Sequence, residues 1–180
     1  MVTLTSVKRA FYLAVVGAFS LVIGSALASA QSLEDRTISR WLETSVELEP
    51  FGEALDGILN EDDEDWERYT TLSEAEYYQL IEAELRAVGL YDDVEQVTSR
   101  FSWSSPGHFF RTGERIGLAM QAYFAREMMA EMPPEQAAML ADFLDPAVGD
   151  VPNDDINVIE RNWDTILAFI EAQGYLDDDY

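Results

Sequence analysis

Residues 153–170 read NDDINVIERNWDTILAFI. Ile156, Ile159, Trp163, Ile166 (with Leu167) and Ile170 return every three or four positions, which is the period of one helix face. Asn153 or Asp154 can start this helix, and Gly174 can end it. The same period runs back through the chain, and no sustained period-two alternation of a half-buried strand interrupts it.

Upstream, Pro133-Pro134 and Asp145-Pro146 bracket a helix with Ala137, Leu140, Phe143 and Leu144 inward. Pro106 opens another, carrying Phe109, Phe110, Ile116, Met120, Tyr123, Phe124 and Met128. Val94, Val97 and Phe101 mark a shorter one. Ser73-x-x-Glu76 is a capping box ahead of Tyr77, Leu80, Ile81, Leu85 and Val88, and Gly89-Leu90 fits a helix C-terminus. Pro50 can open a short helix with Phe51, Leu55, Ile58 and Leu59. Ile38, Trp41, Leu42 and Val46 give the first amphipathic pattern. The expected fold class is therefore all-α: a compact bundle of six to seven short-to-medium amphipathic helices. It forms one domain over 31–174, with an acidic tail at 175–180.

The first thirty residues read as a cleaved signal peptide. Lys8 and Arg9 form a basic start, Ala10–Leu27 is uncharged and apolar, and Ala28-Ser29-Ala30 supplies the small residues of a cleavage site before Gln31. The alternative is an uncleaved membrane anchor. The run approaches the ~20 residues of a membrane span, but Gly17, Ser20, Gly24 and Ser25 weaken it. The chain has no cysteine, so a lipid-anchored lipoprotein, a disulfide framework, thiolate metal sites and cysteine nucleophiles are all excluded. The expected location is periplasmic or extracellular, with no stable membrane anchor after cleavage.

Charge is the most unusual bulk property. Removing Lys8 and Arg9 from 11 basic residues leaves nine, all arginine, against 35 acidic ones, a net charge of −26. Such a chain would be repelled by nucleic acid and by anionic membrane surfaces. Strong like charge keeps it soluble and apart from its copies.

No motif for a hydrolase elbow, a zinc-binding helix, a phosphate loop or a dinucleotide fold is present. The acidic run Asn60–Glu67 (NEDDEDWE) lacks the turn glycine of a calcium loop. Gly149–Glu160 (GDVPNDDINVIE) sets Ile156 and Glu160 at EF-hand positions, but puts Gly149 and Val151 where the first and third ligands belong. No metal site and no cofactor are assigned. A weak, diffuse response of the acidic patches to divalent cations such as calcium is one alternative role.

The stretch Ser102–Phe110 (SWSSPGHFF) holds the one histidine. It reads first as a helix junction, with Pro106 starting a helix, serines capping it, and Trp103, Phe109 and Phe110 anchoring it. It opens a positive segment: Arg100, Arg111, Arg115 and Arg126 with one acid, Glu114. Arg111 and Arg115 lie four apart on one helix face. The plain reading is an internal clamp against acidic neighbours, such as Asn60–Glu67 or Asp177–Asp179. The sharper one is a site for a small anionic ligand at Ser105, His108, Arg111 and Arg115. An apolar groove bordered by Trp103, Phe109, Phe110, Tyr123 and Phe124 would instead mark a protein partner. A hydrolase using a carboxylate pair or His108 is the competing class. No catalytic residue is assigned, and the sequence leans toward a non-catalytic binding or structural protein.

Met132–Asp150 (MPPEQAAMLADFLDPAVGD) resembles a recurring piece of an uncharacterised family of exported, all-helical bacterial proteins. Glu135 in an acidic first turn, Phe143 near the helix end, Asp145-Pro146 and Gly149 carry the resemblance, and FSWSSPG is a looser version. The chain departs from that family's Ser-Pro-x-Gly exit by one extra residue. The resemblance implies an exported helical domain of unknown function, with no catalytic residues to carry over.

Overall fold

A computed structural model describes residues 33–52, 54–55, 72–143 and 146–173, with side chains 139–143 and 146–147 excepted. The described chain is all-α, as the periodicity predicts. Helix α1 spans Asp35–Leu48 and runs into a 3₁₀ turn at Glu49–Phe51; α2 spans Glu74–Ala87 and α3 Tyr91–Arg100. Helix α4 spans Pro106–Glu131, α5 Pro134–Phe143, α6 the single turn Pro146–Gly149, and α7 Asn153–Ala172.

Local chemistry places most of the boundaries. At the start of α2, Ser73 accepts from the Glu76 amide while Glu76 returns a carboxylate to the Ser73 amide, so both halves of the capping box form. Gly89 at the end of α2 has φ +76. There, Leu90 N–H reaches the Leu85 carbonyl and Gly89 N–H the Arg86 carbonyl, the paired bonds of a Schellman motif. Helix α3 ends the same way, with Trp103 N–H on the Thr98 carbonyl and Ser102 N–H on the Ser99 carbonyl. Its left-handed residue is Ser102, at φ +62, not a glycine. Pro106 occupies the first turn of α4, and Ser105 caps it by accepting from the His108 amide at 3.1 Å.

Helix α4 is long enough to serve two cores. Its first turns pack Phe109 with Tyr77, Ile81, Leu85, Val94, Val97 and Trp103 from α2, α3 and the junction. Its middle packs Ile116, Ala119 and Met120 with Ile38 and Leu42 of α1 and Ile156, Ile159, Ile166 and Ile170 of α7. Trp41 touches both cores, as α1 runs beside each. No helix among the described residues is long and apolar enough to cross a membrane.

Several expectations need correction. Val46 and Val88 continue their stripes in sequence but are 45% and 51% exposed. Each lies near the end of its helix, and no described residue buries it; Thr44 and Leu48 are the buried positions at the end of α1. The five aromatics of the expected groove do not line one surface. Trp103 and Phe109 are buried in one core with Phe110 packed against them, whereas Tyr123 and Phe124 pack on the other. Ile58, Leu59, Asn60–Glu67, Leu144, Asp145, Gly174, the acidic tail and the signal segment lie outside the described residues.

Candidate functional site

The four arginines of the positive segment each meet a carboxylate. Arg100 on α3 pairs with Glu47 on α1 at 3.2 Å, and Arg126 on α4 with Glu160 on α7 at 2.7 Å. Arg111 pairs with Glu114 one turn on, at 2.7 Å, and lies over the Tyr77 ring. Arg115 pairs with Asp155 on α7 at 2.6 Å. These partners lie on the described helices; the acidic runs Asn60–Glu67 and Asp177–Asp179 suggested by the sequence lie outside the described residues. Although Arg111 and Arg115 share a helix face, they serve different contacts: Arg111 sits toward α2, Arg115 toward α7.

Two of these pairs are partly buried. Asp155 is fully buried and accepts twice, from Arg115 Nε and from the Leu33 backbone N–H at 2.9 Å. It thereby ties the start of the described chain to α7. Glu114 accepts from Arg111 and from the Tyr77 hydroxyl. Burial pushes its carboxyl above the ordinary range, outweighing the opposing pull of Arg111 and Tyr77.

The predicted residues Ser105 and His108 lie together on the first turn of α4. Ser105 is occupied as the cap. His108 Nδ1 is 2.8 Å from the Ser104 hydroxyl, and its ring sits edge-on to Trp103 and tilted against Tyr78. Burial first, and the charge of Arg40 second, hold the imidazole below its ordinary pKa; Glu74 acts weakly the other way. Glu74 itself accepts from the Tyr78 hydroxyl.

Sequence reading missed Arg40. This α1 residue stacks its guanidinium on Trp103, with Cζ 3.7 Å from the ring centroid, and donates from Nη1 to the Ser102 carbonyl at 3.3 Å. Its Nε is buried with no hydrogen-bond partner among the described residues. Burial, and then the charge of Arg36, weigh against its protonated form. Trp103 is fixed in turn, because its Nε1–H donates to Thr44 Oγ1 at 2.9 Å and Thr44 donates to the Arg40 carbonyl at 2.7 Å. The clue available in sequence was Arg36 and Arg40 four apart on one face, a like-charge pair that costs stability unless an anion balances it.

Gly149–Glu160, the weak calcium-loop candidate, is divided between α6 and the start of α7. Its Ile156 is in the core, Asp155 is held by Arg115, and Glu160 by Arg126. No cluster of three potential metal ligands occurs among the described residues. Compared with protein-family models, curated proteins and solved structures, the chain matches none.

Proposed function

We propose that this chain is an exported, strongly acidic helical protein whose domain is non-catalytic and acts by binding or as a structural element. The observation that supports this most is the pairing of Arg100, Arg111, Arg115 and Arg126 with Glu47, Glu114, Asp155 and Glu160. The positive segment acts as a clamp: it fastens α4 to α7 and α3 to α1, and it neutralises charge where helices of like sign must pack. Export rests on the basic start, apolar run and Ala28-Ser29-Ala30 of the first thirty residues.

Two measurements test this. Intact mass of the recovered protein should match a chain starting at Gln31; a mass retaining residues 1–30 removes the export reading. An Arg111→Ala/Arg115→Ala variant should lose the same stability with and without added small anions. A loss that depends on a particular anion would instead make these arginines ligand-binding residues.

The 2.8 Å contact between Ser104 Oγ and His108 Nδ1 favours a second reading, in which His108 activates Ser104 for acyl transfer. Among the described residues the nearby carboxylate, Glu74, bonds to Tyr78 and not to the imidazole, so the orienting third group of a triad is not in place. Hydrolysis of an activated ester by the native protein, abolished in both Ser104→Ala and His108→Asn, would establish this reading in place of the first.

A further inference from the structure

Every other arginine among the described residues is paired with a carboxylate, including Arg36 with Glu34, Arg86 with Glu82 and Arg161 with Asp35. Arg40 alone meets only a backbone carbonyl and an aromatic face. In a chain with 35 acidic residues, a carboxylate partner is easy to supply from within. Among the described residues Arg40 nevertheless has no carboxylate partner, one turn from Arg36.

We propose that Arg40, together with Ser104 and His108 around the Trp103 ring, forms a recognition site for a small monocarboxylate. The assignment deepens the binding role proposed above and rests on it. Three features support the site. The guanidinium is held flat by Trp103, itself fixed through Thr44 and by edge contact with Phe109 at 5.6 Å, so little freedom remains to be lost on binding. The carbonyl that positions Arg40 belongs to Ser102, whose left-handed backbone is strained for a residue with a side chain, and such strain concentrates at binding sites. Among the described residues Arg40 Nη2 has no hydrogen-bond partner, which leaves donor capacity for an incoming oxygen. A guanidinium fork matches a planar carboxylate better than it matches a spherical anion. The net charge of −24 disfavours anions of higher charge, which selects for a single carboxylate.

His108 packs at 5.3 Å on the same Trp103 ring, contacts the Ser104 hydroxyl and feels the charge of Arg40, so a hydroxyl and an imidazole belong to the same cluster. The charged or titratable groups facing His108 are Arg40 from α1 and Glu74 and Tyr78 from α2. A bound carboxylate would offset Arg40 and favour the imidazolium, so binding and protonation of His108 should reinforce one another.

The chain has one histidine, so its imidazole NMR signals report on this site alone. The full chain, as recovered without a tag, is titrated with pH in 100 mM sodium acetate and in sodium chloride of equal ionic strength, with acetamide in chloride as the uncharged control. The expected result is a His108 midpoint raised by about 0.3 pH unit or more in acetate alone. The shift should vanish in Arg40→Gln and shrink in Arg40→Lys, which keeps the charge but not the fork. Equal midpoints in acetate and chloride overturn the assignment, and so does an acetate shift that survives in Arg40→Gln. If Arg40→Gln does not fold, a full native shift in Arg40→Lys overturns it. Failure here leaves the clamp reading standing, because that reading is decided by the Arg111/Arg115 variant.

Discussion

The two cores that share α4 are built differently. Around α7 the fully buried side chains are aliphatic, the rings of Tyr123, Phe124 and Trp163 cluster at the edge only partly buried, and a partly buried ion pair, Arg115 with Asp155, crosses it. Around α2 and α3 the aromatic rings of Tyr77, Trp103 and Phe109 are themselves fully buried among the aliphatic side chains; Trp103 bonds to Thr44, Tyr77 bonds to Glu114, and Phe109 packs against Trp41, Trp103 and Phe110. Aliphatic packing is non-directional and tolerates adjustment. Rings with polar edges must be set in particular orientations. The strained Ser102, Arg40 (without a carboxylate partner among the described residues) and the histidine all belong to the aromatic half.

The largest predicted effect breaks the aliphatic half at its buried carboxylate, Asp155. Asp155→Ala removes the carboxylate from Arg115, whose side chain is 13% exposed, and removes the acceptor for Leu33 N–H. Losing one member of a buried pair costs about 3–5 kcal/mol, measurable by urea denaturation. The double variant Asp155→Leu/Arg115→Met sharpens the point. Since an apolar replacement of both partners is often neutral, it should be markedly more stable than Asp155→Ala. If it is no better, Asp155 is needed chiefly for its bond to Leu33.

The second prediction breaks the aromatic half by crowding it. A Cβ on Gly107 would lie 2.7 Å from the Tyr78 backbone Cα and 2.9 Å from its side chain, so α2 would have to move away from α4. Gly107→Ala should cost about 1–3 kcal/mol as overpacking. It should also perturb the His108 NMR signals, because Tyr78 packs on that ring. Ala119, fully buried in the other core, offers a matched comparison. Enlarging it to Val should destabilise the protein without moving the His108 signals.

How far each half could be read from sequence follows from the same contrast. The α7 stripe is legible because Ile156, Ile159, Ile166 and Ile170 bury through periodicity alone. The Ser73–Glu76 box and Gly89 are legible because capping chemistry is local. Asp155 was not legible. In the first turn of a helix an acid reads as an exposed complement to the helix dipole. Only its place four residues before Ile159, on the apolar face, hints at burial. Val46 and Val88 misled because periodicity gives a face but not how far the neighbouring helix extends over it. Arg40 and Trp103 are 63 positions apart, and no local rule brings them together.

The third prediction compares the two helix ends that close by the same motif. Gly89 adopts its left-handed conformation without steric penalty, whereas Ser102 does so against its own Cβ. Ser102→Gly should therefore raise stability by about 0.5–1 kcal/mol, the relief of strain being partly offset by the added freedom of the unfolded chain. Thermal unfolding would show the gain. A loss would mean that the Ser102 side chain makes a contribution larger than its strain.

The smallest effect concerns His108 and sets the aromatic half apart by its pH dependence. Its folded pKa is depressed, by burial and then by Arg40, below the ordinary 6.5. The unfolded chain therefore binds this proton more readily than the folded one as pH falls from above 6.5. By linkage, the stability associated with neutral His108 is present above that value and is lost as pH falls through the folded pKa. The ring is partly exposed, so screening keeps the effect well under about 1 kcal/mol. Carboxylates titrate lower and would obscure a single curve. The measurement is therefore the difference in unfolding free energy between the native protein and His108→Asn from pH 8 to pH 5. That difference should move against the native protein as pH falls. It should move less in an Arg40→Lys background, because the ammonium sits less firmly on Trp103 and presses less on the imidazole. A flat difference in the native background would show that His108 is protonated as easily folded as unfolded. The aromatic half would then differ from the aliphatic half in packing alone, not in its response to protons.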